Sequence, residues 1–299
     1  MPESFIERLP LAANAVDRDY LTRENEDAIA ALRGDANTRF IALHRGTALL
    51  SSPSSIAYLD VEPQSELLVY LGRSIADGIA LFVAVVASGH GLAGEWGDLR
   101  SIGGSLSRHD ASVLAQALAI TNWHASTGFS PRSGSVTTSG KAGWVLLDES
   151  GVEHYPRTDM AIIVGVIDRD DRLLLGSNKQ WESNRYSLLA GFVEPGESLE
   201  AAVAREVFEE SGVRVTEPRY LGSQPWPFPA SLMLGFMARV DDSVESGLVP
   251  DGVEIVDLRW FTRAQLHASV DEMRLPGRTS IARAIIEEWY GGPLDQAPA

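Results

Sequence analysis

Residues Gly191 to Val213 read GFVEPGESLEAAVAREVFEESGV. The part from Ser198 to Ser211 predicts a helix. Ser198 is an N-cap residue, the interior is rich in Ala, Val and Glu, and Gly212 is placed to end it. Positions three and four apart share a helix face, so Glu206 and Glu210 stack one turn apart with Glu209 beside them. Ala202, Val203 and Val207 line the opposite side, which predicts a buried face. Three carboxylates on one face repel each other and call for a cation. Hard oxygen donors suit Mg²⁺ or Mn²⁺. Such ions bridge phosphate oxygens, neutralise developing charge and activate water. In the preceding loop, Pro195 and Gly196 are turn formers. Arg205 lies four residues before Glu209 and can pair with it.

A bare EVFEE would read most simply as a solvated acidic face. The full spacing reverses that reading. Gly191, Glu197, Arg205, Glu206, Val207, Glu209, Glu210, Gly212 and Val213 fit G-x5-E-x7-R-E-U-x-E-E-x-G-U, where U is a bulky aliphatic residue. This pattern resembles the signature of Nudix hydrolases, which split pyrophosphate bonds in compounds built from a nucleoside diphosphate and a second group. The resemblance implies an α/β/α sandwich around a mixed sheet, an α+β fold, and a pairing of Arg205 with Glu197. It implies metal binding by Glu206, Glu209 and Glu210. Glu210 is the first choice for the base, and the alternatives within the trio stay open.

Beyond the box comes SQPWPFPASL, Ser223 to Leu232. Pro225, Pro227 and Pro229 fix φ and stiffen the segment. Trp226 and Phe228 are thereby presented at low entropic cost, with faces suited to stacking on adenine or nicotinamide. Gln224 and Ser231 can add hydrogen bonds, and Ala230 lies between. Taken alone, the segment reads as an aromatic plug at the edge of a core. Beside a full box, it resembles the SQPWPFPxS motif of NADH pyrophosphatases of the NudC type. That resemblance implies hydrolysis of NADH or NAD to NMN(H) and AMP, and a homodimer. Removal of an NAD cap from the 5′ end of RNA is the same dinucleotide chemistry, which the motifs cannot separate from the first. An ADP-ribose-type hydrolase, or a nucleotide-sensing protein that has lost catalysis, is a more distant alternative. The same family places a substrate-contacting Tyr at Tyr155 and a distal metal carboxylate at Glu254. It also places an Ala near substrate at Ala282, a metal-facing backbone carbonyl at Ala190, and a substrate Arg at Arg100.

The chain has 299 residues, 44% of them hydrophobic, which supports a sizeable core and two or three domains. The net charge of −16 disfavours non-specific contact with long nucleic acids. It leaves room for one nucleotide end in a metal-lined pocket. No apolar run approaches the roughly 20 residues that span a membrane. The longest, Ile79 to Ala87, predicts a buried strand. The first residues lack the pattern of a secretory signal, so a cytoplasmic location is expected.

Three parts are expected. Residues 1–95 form an N-terminal domain, which the resemblance makes a non-catalytic Nudix-like relative. Residues 96–157 hold a helix over Ala111–Ala125 and a ribbon-like module, and residues 158–299 form the catalytic domain. The family usually places a zinc ribbon in the middle part. This chain has no cysteine. Phe129–Gly134 and Leu147–Gly151 fill the two knuckles without a thiolate ligand, so no structural zinc is expected. Packing through Phe129, Trp144, Val145 and Leu146 is expected to hold the module instead. In the catalytic part, strands are predicted over Ala161–Ile167, Arg172–Leu175, Tyr186–Leu189, Arg214–Leu221, Leu232–Val240 and Ile255–Phe261, with a closing helix over Ile281–Tyr290.

Overall fold

A computed structural model of the chain describes residues 4–89, 91–244 and 247–294. The apolar run from Ile79 does become a buried strand. In chain order the N-terminal elements are β1 (Val16–Asp17), α1 (Glu26–Arg33), β2 (Arg39–His44), β3 (Thr47–Ser52), β4 (Ser55–Ile56), β5 (Leu67–Ser74), β6 (Ala80–Val85) and β7 (Glu95–Gly97). They form a seven-stranded sheet in the order β1-β5-β6-β2-β3-β4, with β7 on β3. The sheet is mixed, because β2 and β6 run parallel while β5 and β6 run antiparallel. Two helices follow, α2 (Leu99–Ile102) and α3 (Arg108–Ser126). Ser107 caps α3 by accepting from the Asp110 amide. The apolar side of α3, including Leu114, Leu118 and Trp123, joins Ile41, Val69 and Val83 in one core. A small antiparallel sheet of β8 (Thr138–Gly140), β9 (Val145–Leu147) and β10 (Glu153–His154) comes next.

By their internal contacts, Pro10–Thr158 group with Pro225–Ser231, and Met1–Leu9 group with Asp159–Gln224 and Leu232–Ala299. Helix α3 and Leu146 share one core with the N-terminal strands.

The second unit contains β11 (Asp159–Ile167), β12 (Leu173–Asn178), β13 (Leu189–Phe192), α4 (Leu199–Ser211), β14 (Val215–Trp226), β15 (Ser231–Val240), β16 (Ile255–Phe261), α5 (Arg263–Ser269) and α6 (Ile281–Tyr290). Its sheet runs β14-β15-β11-β12-β16, with β13 on β11. Ala202, Val203 and Val207 of α4 are fully buried against Ile162, Val164 and Phe236. Burial of each Val stabilises the fold by roughly 1.5–3 kcal/mol. A side chain added at Gly165 would meet Ile285 of α6 at 3.1 Å. Alternate residues of β11 thus face α4 and α6, which makes an α/β/α sandwich.

One predicted strand is misplaced. The apolar residues Tyr186–Leu189 suggested a strand there, but pairing begins at Leu189 and runs to Phe192. Tyr186 instead sends its hydroxyl to Asp257, and Ser187 makes only an isolated bridge to Gly176. Strand β14 also continues past Leu221 to Trp226.

Candidate active site

Helix α4 starts and stops where its sequence dictates. The Ser198 hydroxyl accepts from the Ala201 amide at 3.2 Å, and Gly212 takes the left-handed conformation at φ 70°. The loop before it is tied to the helix by Arg205. That guanidinium grips Glu197 through two bonds, Nε to Oε1 at 2.8 Å and Nη2 to Oε2 at 2.9 Å. Nη2 also donates to the Phe192 carbonyl. The pairing with Glu197 that the family resemblance implied and the pairing with Glu209 that spacing allowed both form. Nη1 bonds Glu209 at 3.0 Å and Glu206 at 2.8 Å. The bond from Arg205 holds the Glu197 carboxyl below the usual carboxylate range.

Gly191 is shaped by Glu206. A Cβ at Gly191 would fall 2.0–2.2 Å from the Glu206 carboxyl atoms. The first box position is therefore empty space that the carboxylate fills. Glu210 sits deeper. It is buried, and its Oε2 has no hydrogen-bond partner. Burial first, and then the charges of Glu206 and Glu254, push its pKa up to about 8, while the Ala190 backbone amide opposes the rise. Burial likewise raises Glu206, against the pull of Arg205.

Asp251, unnoticed in the sequence, shapes the turn that presents Glu254. Its carboxylate accepts from the amides of Val253, Glu254 and Ile255 at 2.8–3.2 Å. An Asp followed by Gly252, three residues before Glu254, was the available turn signal.

This set fits a divalent cation. The donors are hard carboxylate oxygens, one of them buried without a partner. Among the described residues no three acidic or histidine side chains already converge as a closed metal cage.

Other predicted site residues fall in two groups. In the second unit, Gln224 is fully buried and its amide donates to the Thr279 carbonyl at 2.9 Å. Ala282 is buried in the first turn of α6 and donates to Ser280. The Gln224 amide thereby ties the end of β14 to the segment that precedes α6. In the first unit lie Pro225, Trp226, Pro227, Phe228, Pro229, Ala230 and Ser231. Trp226 and Phe228 pack against the N-terminal core, with ring centroids 4.9 Å apart in an edge-to-face arrangement. The Arg100 guanidinium lies 4.4 Å over the Phe228 ring. The peptide bond between Phe228 and Pro229 is cis. Tyr155 is exposed and donates to Glu153 at 2.6 Å. It lines a cleft of about 560 Å³ together with Pro229, Ala230, Asn122 and Trp123.

The knuckles are tied by polar contacts. Ser130 donates to the Asp148 carboxylate at 3.2 Å, and its own hydroxyl accepts from the amides of Arg132 and Ser133. Asp148 also accepts from Ser150 and Val152 at 3.0 Å, and His154 lies 3.4 Å from it. Val145 and Leu146 are buried as expected, and Trp144 donates to the Tyr70 carbonyl. Phe129 is 65% exposed, so it does not supply the packing assigned to it. The Val152 amide, chiefly, holds the Asp148 carboxyl below its ordinary value. A depressed carboxyl stabilises the fold above the ordinary range near pH 4 and loses that contribution as pH falls through the folded value. Asp148→Asn is therefore expected to lower the thermal midpoint at pH 7 and to narrow the gap to the parent on acidification below about pH 4. Parallel melting-versus-pH curves would contradict this.

The loop, α4 and its carboxylates together define a class, a metal-assisted hydrolase of the Nudix kind. Comparison with known proteins agrees. Residues 156–284 match the NUDIX domain model, and residues 37–123 match the NADH pyrophosphatase-like rudimentary NUDIX domain. A Mycobacterium bovis protein named NAD-capped RNA hydrolase NudC is 40% identical over 302 residues, covering 93% of this chain and 94% of that protein. Its Mycobacterium tuberculosis counterpart is 39% identical over the same shares. The human NAD-capped RNA hydrolase NUDT12 is 38% identical over 199 residues, 62% of this chain and 42% of that protein. The chain belongs to the NudC family of Nudix hydrolases. Among the described residues no helix is long and apolar enough to cross a membrane.

Proposed function

We propose that this chain is an NAD(H) diphosphatase that hydrolyses the pyrophosphate bridge of NADH or NAD to NMN(H) and AMP. The carboxylate cluster centred on buried Glu210 carries the reading, because it supplies a proton acceptor beside a donor set for a hard cation. Glu206, Glu209, Glu210 and Glu254, with the Ala190 carbonyl, would hold Mg²⁺ or Mn²⁺. Bound there, the ion would supply charge neutralisation at the phosphate oxygens and a more acidic water. Glu210 accepts the proton of the attacking water. Arg205 keeps Glu206 and Glu197 in register. Trp226 and Phe228, held stiff by their prolines, orient a base, with Tyr155, Arg100, Gln224, Ser231 and Ala282 completing the substrate set. The protein acts as a homodimer in the cytoplasm. Its knuckle module works without zinc, since the chain offers no thiolate.

The names of the relatives favour a second reading, removal of NAD caps from RNA. A net charge of −16 weighs against extended contact with the RNA body. Parallel turnover of NADH and a 5′-NAD-capped RNA decides between them. Comparable or faster hydrolysis of NADH is expected. Far faster hydrolysis of the capped RNA would make free NADH a secondary substrate.

A further inference from the structure

We infer that Asn122 is the positioning residue of the aromatic–proline segment, fixing the substrate-orienting rings by holding backbone carbonyls on both sides of Phe228. The inference rests on the reading that this segment orients the dinucleotide. Asn122 lies near the end of α3, in the run LAQALAITNWHAS. Its carboxamide nitrogen donates to the Pro227 carbonyl at 2.9 Å and to the Pro229 carbonyl at 3.2 Å. One –NH₂ group has two protons, and here both are used on one loop.

The segment needs such a clamp for a chemical reason. Pro225, Pro227 and Pro229 have no N–H, so they cannot tie this tip into a backbone ladder. The Phe228 amide turns back onto the Trp226 carbonyl at 2.7 Å. What remains for an outside residue to hold is the carbonyls, and a carbonyl needs a donor. Asn is a weaker helix former than the Ala residues around it, because its side chain competes for backbone groups. Its presence on this Ala-rich helix is explained by the two carbonyls it reaches. Arg100 complements it by covering the Phe228 ring, so the backbone is held by α3 and the ring by α2. The same asparagine lines two clefts beside the loop, one with Tyr155 and the other with Arg100.

Steady-state NADH hydrolysis with Mn²⁺ tests this on the full chain with Asn122→Ala, Asn122→Asp, Trp226→Ala and Phe228→Ala. Ala removes the donors and favours the helix. Asp keeps the size and sets a carboxylate against two carbonyls. The expected order of KM is parent, then Ala, then Asp, with Asp raised at least about tenfold and kcat within about threefold, the pattern of lost substrate binding. The thermal midpoint of Asn122→Ala should stay near the parent's, which separates positioning from folding. Parental KM in both Asn122 variants, with KM raised in Trp226→Ala or Phe228→Ala, overturns the inference alone. Parental KM in both aromatic variants overturns the reading of the segment and the inference with it.

Discussion

Glu210→Gln is expected to lower NADH turnover by roughly 10²–10⁴-fold, the range for loss of a positioned proton acceptor. The loss should fall on kcat. Gln fills the same volume at the end of α4 but cannot accept the proton of the attacking water, and it is a neutral, poor donor to a hard cation. The fold should survive the change. In the ion-free chain the Glu210 carboxyl is buried, has an oxygen without a partner and faces the charges of Glu206 and Glu254. An ionised carboxyl in that setting costs stability, and a neutral amide removes the charge. The melting temperature of the variant, measured without added metal, should equal or exceed the parent's. Unchanged turnover would remove Glu210 from the chemistry. A collapsed melting transition would show that its burial serves the fold instead.

Gly191→Ala should separate activity from stability just as sharply. The added Cβ would lie 2.0–2.2 Å from the Glu206 carboxyl atoms, so that carboxyl must leave. It is the far end of a flexible side chain and can swing away at little expense to the fold. Gly191 does not occupy the left-handed region, so its backbone accepts Ala without strain. Stability should change by no more than about 1 kcal/mol. The 2.8 Å bond between Arg205 and Glu206 would be lost with the displaced carboxylate. A ligand moved by an ångström or more costs on the order of 10²-fold in rate. Melting temperature and kcat/KM on the same preparation test both halves. Parental activity in Gly191→Ala would mean that the position of Glu206 seen here is not the working one.

These two residues also show how far the sequence could be read. The box was legible because its chemistry requires fixed offsets along one helix turn, and Ser198 and Gly212 marked the ends of that helix. The need for Gly at 191 was visible only as a motif position. Its cause, the seat of the Glu206 carboxyl, is a contact between a strand and a helix face and needs coordinates. Strand β13 was misplaced for a related reason. Apolar residues from Tyr186 suggested pairing, whereas the hydrogen-bond partners of β11 begin at Leu189. Asn122 gave no signal at all, because its partners lie 105 and 107 residues further along the chain. The bracing role of Asp148 was not legible either, because the hydrogen bond from Ser130 that joins the two knuckles depends on how they fold together. Arg205 was read as choosing between Glu197 and Glu209; a guanidinium with five donors reaches both and Glu206 as well.

The central claim is that this chain opens the pyrophosphate of an NAD-type dinucleotide. Incubation of the purified protein with NADH and Mg²⁺ or Mn²⁺, with products identified by mass, tests it most directly. NMNH and AMP are expected in equal amounts, formed only with added divalent metal and lost in Glu210→Gln. Intact NADH recovered in the presence of both metals would contradict it.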